Sequence, residues 1–122
     1  MDDDRGVRDV MVEMLMHLGY HVRFAGDGLE AIEQYQEAAS AGLPFDVVIA
    51  DLTVPDGMGG KELIKELQNI DPRVRGVISS GYSNDPVLRD FKEHGFQGYV
   101  VKPYKIEELC SVLDRVMRGE HA

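Results

Sequence analysis

The chain has 122 residues and a formal net charge of −9, with 43% hydrophobic and 29% charged residues. That length suits one domain with one core, and the acid excess argues against a direct nucleic-acid partner, which would call for a basic patch. No apolar run is long enough to span a membrane and no signal-peptide pattern opens the chain. A single cysteine, Cys110, excludes an internal disulfide framework and fits a reducing, cytoplasmic setting.

Val7, Val10, Met11, Met14, Leu15 and Leu18 recur at helical spacing, with Asp4 as candidate N-cap and Gly19 ending the run. Tyr20 to Ala25 alternates weakly and predicts a strand. Gly26, Asp27 and Gly28 turn into a second helix carrying Leu29, Ile32, Tyr35 and Ala39, closed near Gly42 and Pro44. The run Val47, Val48, Ile49, Ala50 reads as a strand buried on both faces and ends at Asp51. A third helix carries Leu63, Ile64, Leu67 and Ile70 and stops at Asp71 and Pro72.

Val74 to Ser79 predicts the next strand, broken by Gly81. Pro86 suits the first turn of a short helix with Val87, Leu88 and Phe91, ended by Gly95. Tyr99, Val100 and Val101 form a last strand into Lys102 and Pro103, and a final helix places Ile106, Leu109, Cys110, Leu113 and Val116 on an apolar face, where Cys110 packs as a small hydrophobe. Strands alternating with helices imply an α/β fold with a parallel sheet. The count is five helices and four strands, because Met1, Asp2 and Asp3 lead straight into a helix. An acidic pair there is expected to end a buried strand of which at most Met1 is present.

Strand ends on one edge of a parallel sheet bring distant residues together. Here they carry Asp2 and Asp3, Asp51, Ser80 and Lys102, with Ser79 as a competing hydroxyl. Clustered carboxylates repel unless a cation sits among them, and oxygen-only ligands select a hard ion, Mg²⁺ best. His17, His21, His94 and His121 fall outside these ends. Asp51 can serve as a ligand only, or also as a nucleophile that attacks phosphorus. Phosphoryl transfer needs positive charge around the equatorial oxygens. Lys102 and Mg²⁺ can supply it, and the Ser80 hydroxyl can donate to a further oxygen.

This pattern resembles the receiver domain of two-component response regulators: the pair Asp2 and Asp3, Asp51 with Pro55 four residues later, Ser80 before Gly81, and Lys102 before Pro103. The resemblance spans the chain as a single receiver domain, residues 1–122. It implies a flavodoxin-like doubly wound sheet of order 2-1-3-4-5 with the first strand largely missing. It further implies Asp51 as phospho-acceptor from a histidine kinase or phosphotransfer protein. Asp2, Asp3, Asp51 and the backbone carbonyl of Thr53 would hold Mg²⁺; Ser80 and Tyr99 would be the switch pair. A cis Lys102–Pro103 bond and a downstream protein partner on the fourth helix, last strand and last helix are implied as well. Thr53 and Tyr82 would govern water access to the acyl phosphate.

The segment Pro55 to Gly60 is one residue longer and richer in glycine than the commonest family loop. Loss of a central strand would expose edges and apolar surface, so a chain opening at Met1 is expected to be destabilised, strand-swapped or oligomeric. Two other functions remain open: a phosphorylation-independent pseudo-receiver, and a haloacid-dehalogenase-type phosphatase. The phosphatase would want an acid/base Asp where this chain has Thr53, and a cap domain.

Overall fold

The computed structural model describes residues 1–2, 5–54, 58–81 and 84–119. Among these residues eight elements follow in order: α1 Arg5–His17, α2 Gly28–Ser40, β1 Val48–Asp51, α3 Gly60–Ile70, β2 Gly76–Ser80, α4 Pro86–Arg89, β3 Gly98–Val101 and α5 Ile106–Met117. Local chemistry explains most boundaries. Asp27 caps α2 by accepting from the Glu30 N–H at 2.9 Å. Asp85 does the same for α4 through the Val87 N–H at 3.0 Å, with Pro86 at the first helical position. Beyond α1, Gly19 adopts φ +92°, the left-handed conformation that lets the chain reverse there.

The strands run parallel in the order β1-β2-β3, with Asp51 opposite Ser79 and Ser80 opposite Val101. Residues alternate between the two faces of a strand, and each face is covered. Ala50 and Ile78 join Tyr35 of α2, Leu63, Ile64 and Leu67 of α3, Leu88 of α4, and Phe91 and Phe96 in one cluster. Val77 and Val100 pack with Leu15 of α1 and Leu109, Leu113 and Val116 of α5 in the other. Helices on both faces of a parallel sheet make this a flavodoxin-like doubly wound fold.

Tyr20–Ala25 is corrected: it does not form a strand. The segment keeps the alternating burial of a strand, with Tyr20 and Val22 half-buried and His21 and Arg23 exposed. A strand also needs a ladder, and among the described residues its neighbour on the sheet side is Met1–Asp2. There the Asp2 N–H donates to Ala25 O at 3.1 Å, the Met1 nitrogen to Ile49 O at 2.6 Å, and the Asp51 N–H to Met1 O at 2.9 Å. The lateral order 2-1-3-4-5 therefore survives at the carboxyl edge, as Ala25, Met1–Asp2, β1, β2, β3.

The fourth helix is also shorter than its pattern. It closes at Asp90, and the chain reaches Gly95 through turns. Gly95 takes φ +97°, as its role as a stop required. Cys110 lies half-buried on α5. The candidate N-cap Asp4 lies outside the described residues.

Gly60 fixes the approach of α3 to the sheet edge. A Cβ there would stand 2.7 Å from Ile78 Cδ1 and 2.8 Å from Asp51 O, closer than such atoms come. Gly60→Ala must therefore push α3 away from the end of β1. Leu67 is 0% exposed and Leu43 77% exposed. Leu67→Ala is expected to cost about 3 kcal/mol in urea denaturation, and Leu43→Ala less than about 0.5 kcal/mol.

Candidate functional site

The carboxyl edge of the sheet gathers Asp2, Asp51 and Lys102 from three distant parts of the sequence. Lys102 follows β3 directly, and its N–H donates to Ser80 O at 2.7 Å, so the ladder itself carries the residue to the edge. Its Nζ lies 2.7 Å from Asp2 Oδ2 and 3.4 Å from Asp51 Oδ2. The Thr53 N–H approaches Asp51 Oδ1 at 3.4 Å. The Asp2 and Asp51 side chains are only 9% and 11% exposed, and that of Lys102 21%. The Lys102–Pro103 bond is cis.

Burial raises the Asp51 carboxyl above the usual carboxylate range; the Lys102 ammonium pulls it down, and the Asp2 charge pushes it up again. Burial alone would lower Lys102. The hydrogen bond to Asp2 and the attraction of Asp51 outweigh that, so its ammonium is held more firmly than usual. The three groups carry one surplus negative charge. Two carboxylates converging on one cationic position form an all-oxygen donor set suited to a hard divalent ion.

Ser80 closes β2 at 2% exposure, and its carbonyl is tied to Lys102. Ser79, the alternative hydroxyl, stands opposite Asp51 in register, and its buried Oγ lies next to the Tyr104 hydroxyl. Tyr99 is 39% exposed and stacks at an angle on Phe91, ring centroids 5.3 Å apart. Thr53 is exposed. Asp3, Pro55 and Tyr82 lie outside the described residues.

Sequence reasoning did not find the main chain of Met1, which accepts from the Asp51 N–H and so aligns Asp51 with Asp2. Nor did it find Tyr104, whose hydroxyl donates to Met11 Sδ at 3.5 Å behind Lys102. An apolar Met11 and an aromatic after Pro103 carry no signal that they meet.

A family model for the response regulator receiver domain matches residues 1–114. The chain belongs to this family of two-component signalling proteins. The chemotaxis protein CheY of Thermotoga maritima is 29% identical over 119 residues, 97% of this chain and 94% of that protein. The sensor kinase CckA of Brucella abortus is 29% identical over 120 residues, 98% of this chain, and the chain spans only 12% of that kinase. Among solved structures, the fold matches the receiver domain of sensor histidine kinase PA1611 from Pseudomonas aeruginosa PAO1, whose active-site cleft coordinates a magnesium ion. The TM-score is 0.83 at 22% identity, covering 97% of this chain and 93% of that one.

A carboxyl raised in the folded state stabilises most below its unfolded value, and that contribution fades as the pH rises through the native value. Asp51→Asn is accordingly expected to stabilise the domain at neutral pH by about 1 kcal/mol, the gain shrinking as the pH falls through the carboxylate range. Paired urea titrations across pH measure it. Lys102→Met leaves Asp2 facing Asp51 without a cation and should raise the Asp51 carboxyl further, read by carboxyl-carbon NMR titration.

Proposed function

We propose that residues 1–122 act as one receiver unit in which Asp51 accepts a phosphoryl group from the phosphohistidine of a sensor histidine kinase or a phosphotransfer protein. The observation that carries this reading is the Lys102 ammonium 3.4 Å from a buried strand-end carboxylate, Asp51, and 2.7 Å from a second, Asp2. A carboxylate oxygen of Asp51 attacks phosphorus, the bond from phosphorus to the histidine nitrogen breaks, and an acyl phosphate forms. Lys102 meets the charge on one transferred oxygen with a compact, mobile ammonium. The Ser80 hydroxyl, at the same edge, donates to another.

The donor set fits Mg²⁺, with Asp2, Asp3, Asp51 and the Thr53 carbonyl as its ligands. When bound, that ion adds positive charge to the transferred group. Lys102 then exchanges part of its hold on Asp2 for the phosphoryl oxygens. The relative with magnesium in its receiver cleft supports this assignment.

Phosphate at Asp51 draws Ser80 and Lys102 inward and biases Tyr99 between two positions over Phe91. The face of α4, β3 and α5 thereby changes its affinity for a downstream protein. The unit is a phospho-acceptor with slow self-dephosphorylation rather than an enzyme that turns over a metabolite. It works in the cytoplasm without direct nucleic-acid contact; no described helix is long and apolar enough to cross a membrane. Thr53, exposed beside Asp51, controls water access to the acyl phosphate, and substituting it should change the lifetime measured by phosphate release.

Incubation with acetyl phosphate and Mg²⁺ should add one phosphoryl group by mass, absent in Asp51→Asn and slowed by about a hundredfold in Lys102→Met. Beryllofluoride should shift the Ser80, Tyr99 and Lys102 amides in NMR spectra. A folded chain that takes up neither would be a phosphorylation-independent interaction module, and steady hydrolysis of a generic phosphate ester would mark a phosphatase.

A further inference from the structure

Pro103 and Tyr104 carry the chain from Lys102 toward α5, and among the described residues neither makes a main-chain hydrogen bond. Lys105 then enters α5 without a side-chain cap. Side chains must therefore fasten the segment that follows Lys102. The Tyr104 ring packs on the cluster that holds Val77, Val100 and Leu109, and its hydroxyl donates to Met11 Sδ of α1 at 3.5 Å. The buried Ser79 Oγ of β2 lies next to the same hydroxyl. A phenylalanine would fill the place of the ring. The hydroxyl adds a polar tie to β2 and α1 inside an apolar cluster, and such a contact fixes one arrangement where apolar packing tolerates several.

That tie lands where the site is built. Ser79 stands opposite Asp51 in register, and its neighbour Ser80 accepts from the Lys102 N–H at 2.7 Å. Lys102 is thus bracketed by β2: its own N–H binds one residue of the strand, and the ring two positions later reaches the adjacent one. Burial raises the Tyr104 phenol, the Lys102 ammonium lowers it and the Asp2 charge raises it again. The hydroxyl therefore lies within the field of the site's charges and keeps its proton at neutral pH. The Lys102 ammonium hangs on a flexible four-carbon stem, so a shift of its backbone changes how Nζ divides between Asp2 at 2.7 Å and Asp51 at 3.4 Å.

We propose that Tyr104 is a positioning residue: its hydroxyl, held at Ser79 and Met11, fixes Lys102 where one ammonium spans Asp2 and Asp51. The consequence for catalysis rests on the phosphoryl-acceptor reading of Asp51. An ammonium held in that place is already aimed at the oxygens of a group arriving on Asp51, and alignment before transfer lowers the barrier. Tyr104 acts through Lys102, not on the transferred group.

NMR of the unphosphorylated domain tests the positioning, and phosphorylation kinetics test its consequence. In the native chain the paired Lys102 Cε protons should show separate shifts, as in a side chain held in one arrangement. In Tyr104→Phe, and independently in Ser79→Ala, those shifts should converge. With acetyl phosphate and Mg²⁺, followed by mass, Tyr104→Phe should lower the limiting rate about tenfold and leave the half-saturating acetyl phosphate concentration unchanged. Ser79→Ala should repeat that loss, with no further loss when the two are combined. In a Lys102→Met background, Tyr104→Phe should change the rate by less than about twofold, because nothing is left to position. Lys102 shifts that already coincide in the native chain, or that stay separate in both variants, would overturn the proposal. So would a tenfold loss that persists without Lys102, the mark of a purely structural hydroxyl, or a limiting rate that Tyr104→Phe leaves unchanged. A native chain that takes up no phosphoryl group, while Tyr104→Phe still merges the Lys102 shifts, would strike the phosphoryl reading and leave the positioning of Lys102 standing.

Discussion

One ammonium shared by two buried carboxylates is the interaction around which the carboxyl edge of this domain is organised. Asp2, Asp51 and Lys102 would each be costly to bury alone, since a charge removed from water needs a partner and hydrogen bonds to offset the loss. Together they hold one another, with Lys102 bonded to Asp2 at 2.7 Å and 3.4 Å from Asp51. The surplus negative charge leaves the cluster receptive to a further cation. The raised Asp51 carboxyl and the firmly held Lys102 proton are two consequences of the same crowding.

The rest of the fold keeps those three groups at one point. Parallel pairing aligns the ends of β1 and β2 and delivers Lys102 directly after β3. Gly60 lets α3 begin against the end of β1, where a side chain would collide with Asp51 O. Buried leucines of α3 and α5 clamp the sheet from its two faces. Met1 contributes through its backbone alone, linking β1 to Ala25 and aligning Asp2 with Asp51. These contacts hold the three charged groups at one point, and the exposed Tyr99 ring packs at an angle on Phe91.

Much of this was legible residue by residue. The helical spacing in α3 and α5 and the caps at Asp27 and Asp85 are local properties, governed by contacts three or four residues apart. Asp51 and Lys102 stood out because each follows an unbroken apolar run, the mark of a strand that ends at that residue. Tyr20–Ala25 misled because alternation reports which side chains face inward, whereas a strand is defined by bonds to a neighbour. The fourth helix misled similarly: the apolar positions Leu88 and Phe91 are both buried, yet the backbone between them leaves the helix at Asp90.

The sequence by itself determined the class of fold, the order of its elements and the residue types that stand at the strand ends, because periodicity and capping act within a few residues. Only the tertiary structure decided that Asp2 pairs with Lys102, that Ser79 stands opposite Asp51 while Ser80 ends the strand, and that an apolar cleft lies beside β1. Those outcomes depend on which backbones lie side by side, and hydrogen-bond partners separated by half the chain leave no mark on local pattern.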